Sequence, residues 1–121
     1  MNEILINKIK DFFKENDYSI LDVFLYEIGL DFIEQMGLEK YVSRVEILEE
    51  YNKNPLTKGI YDKGKVTIFK SGIENSINVS LKNVLFLSET ELYIYRTFFY
   101  LKTLLHELEH VRQKNISAKF G

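Results

Sequence analysis

Apolar residues recur over the first fifteen positions at Leu5, Ile9, Phe12 and Phe13, the spacing of one helical face. The stretch "ENDYS", residues 15–19, breaks that pattern. Ser19 is then placed to cap a second helix, with Asp22 three residues on in an imperfect capping box. Leu21, Phe24, Leu25, Ile28 and Phe32 give that helix its stripe, and Gly37, after Met36, supplies a C-terminal stop. "YVSRVEILEEY", residues 41–51, fits two periods. Val42, Val45 and Leu48 suit a helix, whereas Val45 and Ile47 between charges suit a strand, the reading preferred here.

"NKNPLTKG", residues 52–59, is a loop. "GIYDKGKVTIF", residues 59–69, reads as a hairpin. Ile60-Tyr61 leads into a turn at Asp62-Lys63-Gly64, and the β-branched run Val66-Thr67-Ile68-Phe69 returns. "SGIENS", residues 71–76, reads as another loop and "INVSL", residues 77–81, as one more short strand. Ser88-Glu89-Thr90-Glu91 is a capping box. No Gly or Pro follows it until Gly121, so a long helix is expected from about Glu89 to about Lys114. Helices first, a small β-sheet or hairpin next and a long C-terminal helix last make an α+β fold, with residues 1–121 as one domain.

Composition narrows the partners. The 121 residues are 45% hydrophobic and 14% aromatic, enough to bury a real core. The formal charge is −2 and the 16 basic residues are scattered, which gives no electrostatic footprint for nucleic acid. Cysteine is absent, so disulfides and thiolate metal sites are excluded. The N-terminal "MNEILINKIKDFF" mixes charges into its apolar positions, unlike a signal peptide. No apolar run reaches the roughly 20 residues that span a bilayer. The expectation is a soluble, cytoplasmic chain with no nucleic-acid or membrane partner.

The candidate chemistry sits in "LLHELEHVRQ", residues 104–113, which holds both histidines of the chain. Each helical residue advances about 100°, so His110 lies about 40° from His106 and Glu107 about 100° round, flanking the pair. Leu101, Leu104, Leu108 and Val111 fall near the opposite side, which turns the histidines towards solvent or a cleft. Two imidazoles one turn apart can reach one Zn²⁺. A glutamate beside them can take a proton from a zinc-activated water and pass it to a leaving amine. That is the HExxH logic of metalloproteases. Glu109 lies about 60° from His106 on the side away from Glu107, so it should not reach the same water.

"HELEH", with "TLL" before it, "VRQ" after it and a β-hairpin upstream, resembles the active-site helix of zincin metallopeptidases. The wider similarity is to small HExxH domains of bacterial and phage origin. It covers about the last half of the chain, and only the motif is specific. The resemblance implies a minimal zincin-like core, with His106 and His110 as zinc ligands and Glu107 as general base. It implies a peptide or protein substrate, paired with the hairpin strand around Val66–Phe69 as sheet edge.

Two departures stand out. Glu109 occupies a position where the family prefers an uncharged residue, and it has Arg112 and Gln113 within helical reach. The third zinc ligand of zincins normally lies downstream, yet "VRQKNISAKFG" contains no His, Asp or Glu. The extended form HExxHxxGxxH fails at Gln113 and Ile116. The third ligand is then upstream, on another chain, or on a longer chain of which these residues are a fragment.

Arg112 is expected as a solvated helix residue, and Tyr93, Tyr95 and Tyr100 as packing residues rather than transition-state donors. Glu89 and Glu91 serve the helix N-terminus. The run "TFFY", residues 97–100, reads as core. The functional expectation is a zinc-dependent peptidase, or the HExxH-bearing domain of one. The alternatives are a catalytically inactive zincin-like binding or regulatory module, and a small helical interaction protein whose motif is fortuitous.

Overall fold

The computed structural model describes residues 3–15, 18–84 and 86–120, without the side chains of 18 and 116–120. Helix α1 spans Glu3–Glu15 and buries Leu5 and Phe12. The break expected at "ENDYS" falls in part on residues 16 and 17, outside those described. A 3₁₀ turn, Tyr18–Ile20, leads into α2, Leu21–Gln35. Strands β1 (Arg44–Leu48), β2 (Gly59–Asp62) and β3 (Lys65–Phe69) follow, then α3 (Lys70–Leu81) and α4 (Glu89–Phe120). The fold is α+β. No helix among the described residues is long and apolar enough to cross a membrane.

Helix α2 ends as its sequence dictates. Gly37 adopts φ 65°, in the left-handed region, where glycine carries no Cβ penalty. The Leu38 amide donates to Ile33 O at 2.9 Å and the Gly37 amide to Glu34 O at 3.2 Å. This is a Schellman end, with Leu38 and Ile33 both in the core. The start differs from expectation. Ile20, not Ser19, occupies the cap position, with no side-chain cap hydrogen bond. Asp22 instead pairs with Lys70 at 3.1 Å.

The sheet order is β1-β3-β2, with β1 parallel and β2 antiparallel to β3. The hairpin turn is a two-residue one. Lys63 (φ 50°) and Gly64 (φ 79°) bridge the facing pair Asp62 and Lys65, the type I′ signature that matches strand twist. β3 is the central strand, and from Val66 to Phe69 every residue is buried.

One segment departs from the sequence reading. Residues 70–81 form a helix, not a loop and a short strand. Ile73 and Ile77, four apart, are both buried and supply the helical period that Ser, Asn and Gly obscure. The first turn docks onto the loop before β2. Gly72 lies so close to it that a Cβ there would sit 2.1 Å from Thr57 O. The Ser71 amide, one of the first-turn donors that lack an intrahelical partner, reaches Glu49 O at 2.7 Å.

Helices α2 and α4 pack together and against the sheet. Leu25, Ile28, Val66, Ile68, Leu104 and Leu108 are fully buried. At about 1.5–3 kcal/mol for each large aliphatic side chain buried, this cluster fixes the rotation of α4 about its axis. Phe12 stacks on Phe24 at 4.0 Å between ring centroids and ties α1 to α2.

Candidate metal centre

The expected capping box forms. The Glu91 amide donates to Ser88 Oγ at 3.1 Å, and the Ser88 amide donates to Glu91 Oε1 at 3.1 Å. From Glu89 the helix runs unbroken through the motif to Phe120, six residues beyond the expected end.

Its buried face is the leucine stripe. Leu101, Leu104, Leu108 and Val111 are at most 9% exposed. That leaves His106 and His110 on the exposed face. Their ring centroids lie 4.1 Å apart with the planes tilted by 56°. Neutral imidazoles one turn apart suit a borderline metal such as zinc.

Glu107 points to one flank of the pair, towards β2. A Cβ built on Gly59 would lie 2.8 Å from Glu107 Cγ, 3.1 Å from Cδ and 3.2 Å from Oε1. The carboxylate arm therefore runs directly against the bare backbone of β2. A pocket of about 260 Å³ opens here, lined by Glu107 and His110 with Tyr61 and Lys114. The other flank differs in character. His106 borders a wider groove of about 530 Å³ lined by Phe32, Phe98 and Leu105, with Glu109 at its margin.

Glu109 is occupied elsewhere. Arg112 Nε donates to its Oε1 at 3.0 Å and its Oε2 at 2.9 Å. The Arg112 guanidinium holds the Glu109 carboxyl below its ordinary range, chiefly through these hydrogen bonds. Glu109 and Arg112 thus neutralise each other on the helix surface. The tyrosines on α4 are structural. Tyr93 donates to Phe12 O at 3.1 Å. Tyr100 donates to Glu74 Oε1 at 2.9 Å, and burial pushes its phenol pKa up. Tyr95 lies 5.1 Å from Phe99, centroid to centroid. In "TFFY", Thr97 and Tyr100 are core but Phe98 is 52% exposed.

One expectation is corrected. Val66–Phe69 is not the sheet edge, because β1 pairs with β3 on its other side. The terminal strand beside the motif is β2, Gly59–Asp62. Two residues there, Gly59 and Tyr61, escaped the sequence reading. Strand alternation puts them on one face, and the hairpin pattern was enough to find that pairing. What it lacked was any sign that this face meets α4. Tyr61, which lines the pocket, donates its hydroxyl to Tyr41 O.

Among the described residues, no three His, Cys, Asp or Glu side chains cluster so as to hold a metal ion. His106 and His110 bring two candidate donor side chains together. No family model matches this chain, and comparisons with curated proteins and with solved structures gave no match either.

Proposed function

We propose that the chain is a zinc-dependent peptidase, or the HExxH-bearing domain of one. One observation supports this above others. His106 and His110 share an exposed helix face, and Glu107 beside them lies against the terminal strand of the sheet. The donor set fits zinc in part, since two imidazoles are at hand and a catalytic zinc site normally has three protein ligands. His106 and His110 would hold the ion. When bound, zinc would supply the Lewis acidity that polarises a peptide carbonyl and acidifies water.

The remaining steps belong to the chain's own groups. The outer edge of β2 offers backbone N–H and C=O groups to an extended peptide, as an added strand. Glu107, between that edge and the histidines, takes a proton from the attacking water and delivers it to the departing amine. Glu109, bonded to Arg112, takes no part. Glu107→Gln keeps the shape and removes the basicity. Turnover should fall by about 10²–10⁴-fold with zinc uptake unchanged. Hydrolysis that survives Glu107→Gln but is abolished by Glu109→Gln overturns the assignment.

A second reading has one observation in its favour. With no cluster of three ligating side chains among the described residues, the domain also suits a non-catalytic binding module on the same scaffold. A parent chain that takes up zinc and cleaves no peptide selects it.

A further inference from the structure

Resting on the peptidase reading, we infer that Gly59 is a positioning residue that sets where the Glu107 carboxylate lies relative to the histidine pair. Gly59 opens β2, and its missing side chain leaves the space that Glu107 fills. Every other amino acid brings a Cβ to 2.8 Å from Glu107 Cγ, closer than carbon atoms tolerate. Either the strand or the glutamate has to move.

The strand is the less able to do so. Gly59 faces Ile68 in the β2–β3 ladder, and the Phe69 amide donates to Lys58 O at 2.8 Å one residue earlier. The Lys63-Gly64 turn closes the other end of the same short hairpin. The helix backbone is equally fixed, because Leu104 and Leu108 on either side of Glu107 are fully buried. Rotation of the half-buried Glu107 side chain is the remaining way out. Since the contact is at Cγ, the whole carboxylate swings with it. A general base works only within hydrogen-bond reach of its proton.

Backbone conformation does not call for glycine here. No left-handed backbone angle is recorded at Gly59, in contrast to Gly37 and Gly64. Close approach to Glu107 is therefore the reason for glycine at this place.

The experiment compares the parent chain, Gly59→Ala and Gly29→Ala, the last a control at a glycine of α2 where a Cβ meets only ordinary contacts of 3.4 Å. Proton NMR on the zinc-free proteins reads the contact between the Gly59 α-protons and the Glu107 γ-protons. Zinc affinity, kcat and KM on a peptide library are measured alongside. The contact should be present in the parent. Gly59→Ala should shift the Glu107 γ signals and lower kcat by about 10²-fold, the usual cost of a displacement near 1 Å. KM and zinc affinity should stay at parent values, and Gly29→Ala should match the parent throughout. A parent without the contact overturns the inference, as does Gly59→Ala with parent kcat or unmoved Glu107 signals. If Gly59→Ala displaces Glu107 and none of the three chains cleaves any peptide, the peptidase reading fails and Gly59 still stands as the residue that positions Glu107.

Discussion

Gly72→Ala should destabilise the protein although alanine is the better helix former. At this position the new Cβ would meet Thr57 O at 2.1 Å, Thr57 C at 2.5 Å and Leu56 O at 2.9 Å. These are backbone atoms and cannot rotate away. To reach the 3.4 Å of ordinary contact, the Thr57 carbonyl must retreat by about 1.3 Å. The loop is held by Ser71 Oγ donating to Pro55 O at 3.1 Å and by the Ser71 amide donating to Glu49 O at 2.7 Å. Overpacking costs about 1–3 kcal/mol, and one lost hydrogen bond about 0.5–1.5 kcal/mol more. The gain in helix propensity returns at most about 1 kcal/mol. The net loss is about 2 kcal/mol, which for a domain of this size lowers the thermal midpoint by roughly 6–12 °C. Gly29→Ala is the matched control. Its Cβ would make ordinary contacts of 3.4 Å with Leu104 and Val45, so it should be neutral or gain up to about 1 kcal/mol. Calorimetry on the three proteins reads all of this. A Gly72→Ala protein melting at or above the parent refutes the close-approach reasoning.

Leu108→Ala removes a fully buried side chain within the motif and should cost about 2–5 kcal/mol in denaturant unfolding, with the histidine pair left in place. Ser88→Ala should cost about 0.5–2 kcal/mol by the same measurement, because the Glu91 amide loses its cap. Hydrogen bonds from Ser88 hold the Glu91 carboxyl below its ordinary value of 4.5. A carboxyl lowered on folding stabilises above its unfolded value, and that contribution fades as pH falls through the folded one. Melting curves of the parent and Glu91→Gln should therefore converge below about pH 4.5, and a gap independent of pH contradicts this.

What the sequence disclosed follows from how local each signal is. Ser88 and Glu91, three residues apart, announced the start of α4, and the leucine stripe oriented its histidines. Asp62 to Gly64 announced the hairpin turn. Gly37 announced the end of α2. Each of these rests on neighbours in the chain. The α3 helix was hidden because Gly72, Asn75 and Ser76 resemble a loop and Ile77, Val79 and Leu81 alternate like a strand. Its docking partner, the Thr57 carbonyl, lies fifteen residues away. Ser19 misled because a 3₁₀ turn put Ile20 at the cap. The edge was misassigned because β1 joins β3 in parallel across a long connection, and no local pattern encodes that pairing. For the candidate site, the shared exposed face of His106 and His110 and the flanking place of Glu107 were legible from spacing alone. Gly59 and Tyr61 were not, because only the tertiary fold carries β2 to α4.

A peptidase built on this helix requires that His106 and His110 hold zinc together. Equilibrium zinc binding, followed by elemental analysis after dialysis, tests this on the parent, His106→Ala, His110→Ala and Glu107→Gln. The parent and Glu107→Gln should each bind one ion per chain with the same affinity, and each histidine variant should lose it. Two imidazole donors hold zinc weakly, so the parent should keep its ion in dialysis against zinc and lose it in extended dialysis without zinc. Zinc uptake at parent affinity in His106→Ala or His110→Ala would contradict the assignment of this helix face as a metal site.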